Sequence, residues 1–461
     1  MEQIKEDDIN KKTASAGYER SMTGAAPEGG EHAGRCYFCI DMKCFYASVE
    51  CAERGLNPFE TCLVVADATR GKNALCLAIS PKMKALGVKN RCRMSDIPAD
   101  IKYIVAPPRM QLYIEYAADI YAFYLDWFSP EDIHVYSIDE SFIDVTPYLK
   151  MYKMRAREMA AKLIAGIANR LKIPSTAGIG TNLYLAKIAL DISAKHSPDR
   201  IGILTEKRYM DTLWDHEPIT DFWQISHGTA ARLERCGIRT MRGIASADPG
   251  LLHKLFGINA ELLIDHAWGR ESCLISDIKK YKSSSKSFSA SQILPHDYTR
   301  TGAATVLAEM VEQGCHRLMN GNYVCSKLSV MVGYSGDREP PSTGSIRVPQ
   351  ADNSYTVLRG YANRLYMSIA EDIPVRRIAI AFEGLADAGG IGYDIFTDPE
   401  KLEKERIMEE TMIDIHGRFG KNAIMRATSF TADGTMRERN GMIGGHRAGF
   451  DDMPEERKRS V

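Results

Sequence analysis

The chain has 461 residues, 44% of them hydrophobic, and sets 59 Lys and Arg against 60 Asp and Glu for a net charge of −1. That length allows roughly three domains at about 150 residues each, with enough apolar content for real cores, and the balanced charge excludes a uniformly basic nucleic-acid binder, so any DNA affinity must come from local patches. No apolar run of about eighteen residues offers a membrane span, no apolar signal region opens the chain, and its eleven cysteines, an odd set scattered through apolar segments, suit a reducing compartment. A cytoplasmic protein with no membrane partner is expected.

In chain order, residues 1–34 mix charges with Gly24, Pro27, Gly29, Gly30 and Gly34 and show no hydrophobic period, which predicts a disordered lead-in. From Cys36 to about Leu204, β-rich runs (Cys36–Asp41, Leu63–Ala66, Asn73–Ile79, Ile133–Ile138, Ser141–Val145, Thr176–Ile179) alternate with helical stretches at Met110–Phe128 and Met154–Leu171. This is a mixed α/β pattern. Cys36 and Cys39 have metal-ligand spacing, but no second Cys/His pair follows and their surroundings are apolar, so a buried strand is the better reading. Residues 206–273 read as short helices between Gly and Pro turns. The Ser-rich stretch 276–287, with Lys279, Lys280, Lys282 and Lys286 around Tyr281, reads as a solvated linker. Beyond it, helical Ala303–Met319, strand-like Lys327–Val332, helical Tyr355–Ala370 and strand-like Val375–Phe382 predict an α+β module. Residues 389–461 are polar and Gly-rich, and are not expected to complete the palm core. They hold one amphipathic helix, Pro399–Phe419, with Asp398 as its cap and Pro399 at its first position.

Three carboxylates carry the chemistry. The first apolar strand ends at Ile40-Asp41-Met42 and turns at once into a helix-like Phe45–Glu50. About a hundred residues on, apolar runs flank the pair Asp139-Glu140. Neighbouring side chains in a regular strand point to opposite faces, so both can serve one site only at a hairpin tip or bulge. Three carboxylates brought together repel unless a cation sits among them, and such hard oxygen ligands select Mg²⁺ or Mn²⁺. A two-metal phosphoryl-transfer centre is the expectation.

The runs Ile40-Asp41-Met42-Lys43-Cys44-Phe45-Tyr46-Ala47-Ser48-Val49-Glu50, Tyr136-Ser137-Ile138-Asp139-Glu140-Ser141-Phe142-Ile143-Asp144-Val145 and Gly178-Ile179-Gly180-Thr181-Asn182-Leu183-Tyr184-Leu185-Ala186-Lys187 resemble, in order, the palm motifs of Y-family DNA polymerases. Lys43 and the later Arg418–Ile424 stretch are similar to the UmuC-like UV-damage-repair branch of Gram-positive bacteria. The resemblance implies a right-hand polymerase: palm at 35–44 and 102–205, small fingers at 45–101, a helical thumb with a helix-hairpin-helix at 206–275, a linker at 276–286, a little finger at 287–388 and a tail at 389–461. It implies template-directed addition of deoxynucleotides to a primer end, in low-fidelity translesion synthesis during DNA repair and the SOS response.

Carried over residue by residue, the resemblance makes Asp41, Asp139 and Glu140 the catalytic carboxylates. They would hold two Mg²⁺ ions, with Mn²⁺ as a substitute, and Met42 would add its backbone carbonyl. Cys44, Phe45, Tyr46, Lys84 and Lys195 fall at nucleotide-binding positions, with Tyr46 as the steric gate under the incoming sugar; Lys195 stands one residue farther from Lys187 than the family pattern has it. Ser226, Gly228 and Thr229 match the DNA-phosphate turn of the helix-hairpin-helix, though Ser226 replaces its first glycine. Tyr393, Ile395 and Phe396 occupy a sliding-clamp peptide whose glutamine is here Gly392. Two rivals share parts of the pattern: a non-catalytic DNA- or clamp-binding protein on the same fold, and a two-metal nuclease or cyclase. The first would need no complete carboxylate set, and the second no gate.

Overall fold

The computed structural model describes residues 34–336, 339–389 and 399–449. The chain forms two compact units: one runs up to Lys282 and takes the chain up again from His446, and the other is Ser283–Gly445. Together they give the expected multidomain mixture of α/β and α+β architecture.

In the first unit the strands are β1 (Tyr37–Met42), β2 (Leu63–Val65), β3 (Ala78–Ile79), β4 (Ile104–Ala106), β5 (Ile133–Val135), β6 (Glu140–Asp144), β7 (Ser175–Gly180) and β8 (Ile201–Leu204). They build a sheet of order β5-β6-β1-β7-β8 and a small sheet of order β3-β2-β4. β1 is central because it is apolar on both faces: Phe38, Cys39 and Ile40 have no exposed surface. It pairs antiparallel with both β6 and β7, while β7 and β8 run parallel. The helix Phe45–Glu53 follows β1 and packs toward the small sheet, whose core includes Val64, Ile79, Met83 and Ile97. The strand expected over Asn73–Ile79 shrinks to Ala78–Ile79. Upstream of it, Leu75 makes only a single bridge to Arg93.

The run Gly178-Ile179-Gly180 ends a strand that receives a helix. A Cβ at Gly178 would stand 2.0 Å from the Ala186 carbonyl oxygen, and one at Gly180 2.1 Å from the Ala186 nitrogen. Glycine therefore lets the helix Leu183–Ile188 lie flush on β7. Helices Glu206–Leu213, His227–Glu234, Met241–Ala245, Pro249–Phe256 and Asn259–Ala267 then gather around Tyr209, Phe222, Leu233, Met241 and Leu252. The start of the expected linker is instead a helix, Ile275–Lys280, because Ile275 and Ile278 pack beside Tyr136 and Phe142.

The second unit is an antiparallel sheet of β9 (Ser287–Tyr298), β10 (Tyr323–Tyr334), β11 (Ser342–Asp352) and β12 (Val375–Glu383), in the order β11-β10-β12-β9. Helices Arg300–Asn320 and Tyr355–Ile369 supply its core with Val306, Val311, Leu358 and Tyr366. β9 and β11 are edge strands rich in Ser and Thr, each containing a proline, so they carry little apolar alternation and sequence reading passes over them.

Residues after 399 are more than a solvated tail. Glu409, on the helix Pro399–Phe419, is 1% exposed and accepts from His316 Nε2 at 3.1 Å. Arg426 pairs with Glu409 and with the buried Glu312, and lies 3.9 Å from the centroid of the Tyr355 ring. Glu309 accepts from the backbone nitrogens of Thr435 and Met436 at 2.9 and 3.1 Å. Arg426→Ala strips the buried Glu312 of its ion-pair partner and leaves Glu409 with His316 alone, so it is expected to destabilise this unit by about 3–5 kcal/mol in denaturant melts. A loss below about 1 kcal/mol would contradict that account. In the first unit, the returning chain donates from Arg447 to Asp67 at 3.3 Å and to Thr69 at 3.2 Å, and the Ala448 carbonyl accepts from the Gln111 nitrogen at 2.9 Å.

Candidate active site

β1 and β6 set the carboxylates side by side. Asp41 is the direct cross-strand partner of Glu140, and directly opposed residues of an antiparallel pair share a face. Asp139 is the last residue of the turn before β6. The Glu140 carbonyl accepts from the nitrogens of Tyr136 and Ser137 at 3.0 and 3.1 Å, and the Asp139 carbonyl accepts from the Met42 nitrogen at 2.9 Å. A hairpin tip therefore brings Asp139 beside Glu140 without the opposite-face penalty of a regular strand. The Ser137 hydroxyl donates to Asp139 at 2.8 Å.

Glu140 is held from below. It is 8% exposed, and it accepts from the Cys39 thiol at 3.0 Å and from Lys187 Nζ at 2.7 Å. Lys187 also lies 3.2 Å from Asp191, which pairs with Lys195 at 3.0 Å. The row Cys39, Glu140, Lys187, Asp191, Lys195 went unnoticed as a network in sequence. Its one legible signal is the four-residue spacing of Lys187, Asp191 and Lys195, which aligns them along a helix face. Burial raises Glu140, while Lys187 draws it down and itself stays firmly charged.

Among the described residues, no three acidic, histidine or cysteine side chains converge as a finished ligand set. The donor chemistry nevertheless suits hard divalent cations. The Asp41 carboxylate is pushed up to about 8 by burial first, then by Asp139 and Glu140. A group so disfavoured as an anion is one that a cation would relieve. Asp41, Asp139 and Glu140 are the residues that would hold the ions.

The chain leaves β1 through Cys44, whose φ of 52° turns it into the helix carrying Phe45 and Tyr46. Cys44 lies within hydrogen-bonding reach of Lys84, an exposed residue of the short helix Pro81–Ala85 capped by Ser80. Cys44 and Lys84 are thus brought together, Cys44 two residues before Tyr46. Met42 is buried, with its backbone locked in register with Ser175. Lys43 turns its head toward the Phe59 ring, 5.8 Å from the centroid. Lys195 is half exposed and engaged with Asp191. Between Lys187 and Lys195 the helix runs as a five-residue π-helix, Ala189–Ser193. Such a bulge accommodates a one-residue insertion without breaking the helix, and π-bulges cluster at functional sites.

Ser226 caps the helix His227–Glu234, accepting from the Thr229 nitrogen at 3.2 Å, with Gly228 in the first turn. Serine therefore does here what a side-chain cap does elsewhere, and the first turn keeps its amides at the helix N-terminus. In the second unit, the sheet face away from the helices presents Ser289, Ser291 and Ile293 on β9 and Arg377 on β12, a row sequence patterning did not single out. Tyr393, Ile395 and Phe396 lie outside the described residues. Among the described residues no helix is long and apolar enough to cross a membrane.

Comparison with known proteins completes the description. The model of the impB/mucB/samB family matches residues 40–191, and that of the family's C-terminal domain matches residues 285–394. The chain is 31% identical over 414 residues to the putative UV-damage repair protein UvrX of Bacillus subtilis (strain 168), covering 89% of this chain and 97% of that one. It is 30% identical over 416 residues to DNA polymerase IV 2 of the same organism, covering 89% and 98%. Among solved structures it resembles a Y-family DNA polymerase chimera of Dbh and Dpo4, with a TM-score of 0.59 and 22% identity over 76% of this chain and 99% of that one.

Proposed function

The chain belongs to the impB/mucB/samB family, and from that membership we propose that it is a Y-family, template-directed DNA polymerase that extends primers during translesion synthesis in DNA repair and the SOS response. The observation that carries the reading is the register of β1 against β6. It opposes Asp41 and Glu140 next to Asp139, and the helix leaving β1 presents Tyr46 only five residues beyond Asp41. A nuclease or cyclase has use for the carboxylates but none for an aromatic at the sugar. A binding protein has use for neither.

Two Mg²⁺ ions, or Mn²⁺ in their place, held by Asp41, Asp139 and Glu140 with the Met42 carbonyl, would supply an activated primer hydroxyl and neutralise the departing phosphate charge. The chain's own side chains do the rest. Lys187, 2.7 Å from Glu140, aims its carboxylate. Lys84 and Lys195 place positive charge for the triphosphate, and Cys44 and Phe45 shape the pocket beside it. Tyr46 excludes the 2′-hydroxyl by contact. The amides at Ser226, Gly228 and Thr229 receive a DNA phosphate, and the Ser289, Ser291, Ile293 and Arg377 face grips the duplex. Tyr393, Ile395 and Phe396 engage the sliding clamp in the cytoplasm.

Primer extension by the purified chain with template, deoxynucleotides and Mg²⁺ is the test; binding of primer-template without any extension would leave only a binding protein. The ions themselves are open to a separate measurement. Asp41 is raised toward 8, so below that pH a proton occupies it and must leave when a cation binds. Apparent Mg²⁺ affinity is expected to climb by up to about tenfold per pH unit from pH 6.5 to 8 and then flatten. Calorimetry or Mg²⁺-induced thermal shifts would detect this, and a flat profile would mean that Asp41 is already ionised across this range.

A further inference from the structure

Steric exclusion is only as strict as the wall is unyielding, and the wall at Tyr46 has a backing. Tyr46 and Glu50 are four residues apart on the helix Phe45–Glu53, so they share a face. Glu50 is fully buried. A carboxylate in that position is costly unless its oxygens are satisfied. Here they are: Arg109 donates from Nε to Oε1 at 2.9 Å and from Nη2 to Oε2 at 2.8 Å, the Tyr113 hydroxyl donates to Oε1 at 2.7 Å, and Arg54 closes on Oε2. The planar two-pronged contact of Arg109 fixes the carboxylate in direction as well as charge.

Tyr113 lies in the first turn of the helix Met110–Leu125 and has no exposed surface. Its ring stacks on that of Tyr46, with centroids 4.5 Å apart and planes inclined by 17°. Burial, and then the Glu50 charge, pushes the Tyr113 phenol up, so it remains a donor. The contacts close a loop: Tyr46 to Glu50 along one helix, Glu50 to Tyr113 by hydrogen bond, Tyr113 back to Tyr46 by ring stacking. Tyr46 cannot retreat toward the Met110–Leu125 helix, because Tyr113 fills that space and its hydroxyl is tied down.

We infer that Tyr113, pinned by Glu50 and Arg109, is a positioning residue that backs the steric gate and thereby sets how strictly ribonucleotides are refused, without itself touching the nucleotide. The inference rests on Tyr46 being the gate. A purely structural role for the network would lower stability and overall rate but would leave the preference between sugars alone.

The test measures single ribo- and deoxynucleotide additions opposite one template base by the full chain, so that the ratio cancels any general loss. Tyr113→Leu removes the backing and is expected to raise the ribo-to-deoxy ratio about tenfold. Tyr113→Phe keeps the ring but frees it from Glu50, and should raise the ratio by a few fold only, roughly two to three. Should the leucine variant fail to fold, the phenylalanine variant decides. In a Tyr46→Ala background, Tyr113→Leu should add nothing, since a residue acting through the gate has no effect once the gate is gone. Unchanged ratios in the Tyr113 variants, with Tyr46→Ala relaxed, overturn the backing role and leave the gate standing. Multiplying effects in the double variant overturn it as well. An unchanged ratio in Tyr46→Ala itself strikes at the gate reading instead.

Discussion

Asp139→Ala abolishes primer extension, by at least about a thousandfold, while primer-template affinity stays within about twofold. A thousandfold corresponds to roughly 4 kcal/mol of lost transition-state stabilisation, a reasonable share for one charged ligand at a phosphoryl-transfer centre. On the proposed function, DNA grip comes from phosphate contacts elsewhere and should not depend on this carboxylate. The fold should tolerate the change. Asp139 sits in a turn with its side chain on Ser137, and its removal also relieves the repulsion that helps to raise Asp41. Glu140→Ala should be equally inactive but less stable, because it strips the buried Lys187 of one of its two carboxylate partners and Cys39 of its acceptor. Glu140→Gln keeps the shape and separates the two effects. Extension by Asp139→Ala at near the parental rate, with the protein folded and bound to DNA, would sink the assignment of this centre.

The difference between Asp139 and Glu140 shows where sequence reading reaches and where it stops. That the two adjacent carboxylates needed a hairpin tip or a bulge followed from strand alternation alone, and the structure has the tip, with the Glu140 carbonyl taking both turn amides. That Glu140 would rest on Cys39 and Lys187 did not follow. It depends on the register that places Cys39 two residues from the Asp41–Glu140 pair, and on the close approach of the Leu183–Ile188 helix over Gly178 and Gly180. Both are tertiary facts. The π-helix at Ala189–Ser193 is a milder case: its residues read as ordinary helix in sequence, and only the backbone shows the wider turn. β9 and β11 escaped because an edge strand can be built from serine and threonine with little apolar alternation. The polar segment after 399 hides its packing for the opposite reason. Beside Met412 and Met436 it buries Glu409, held by Arg426 and His316, a carboxylate that composition counts as solvent-loving.

Tyr46→Ala is expected to keep deoxynucleotide addition and to gain ribonucleotide addition, raising the ribo-to-deoxy ratio by about a hundredfold, or nearly 3 kcal/mol at 1.4 kcal/mol per decade. The argument is geometric. Tyr46 follows Asp41 on the next helix, whereas Asp139 and Glu140 are placed by β6 and the turn before it, so shrinking the ring should leave the three carboxylates where β1 and β6 hold them. The ring is half-buried and stacked on Tyr113, so the wall it forms is stiff, and a stiff wall converts the bulk of one hydroxyl into a large discrimination. Removing it also opens a void beside Tyr113 and costs stability, roughly 2–4 kcal/mol by analogy with other aromatic truncations. That loss lowers both rates, which is why the ratio and not either rate is the quantity to measure. Tyr46→Phe, which keeps the ring and its stacking, should leave discrimination nearly intact. If Tyr46→Ala is folded and active and still refuses ribonucleotides as strictly as the parent, the sugar is sensed by another residue, and the register carried through Phe45-Tyr46 is off.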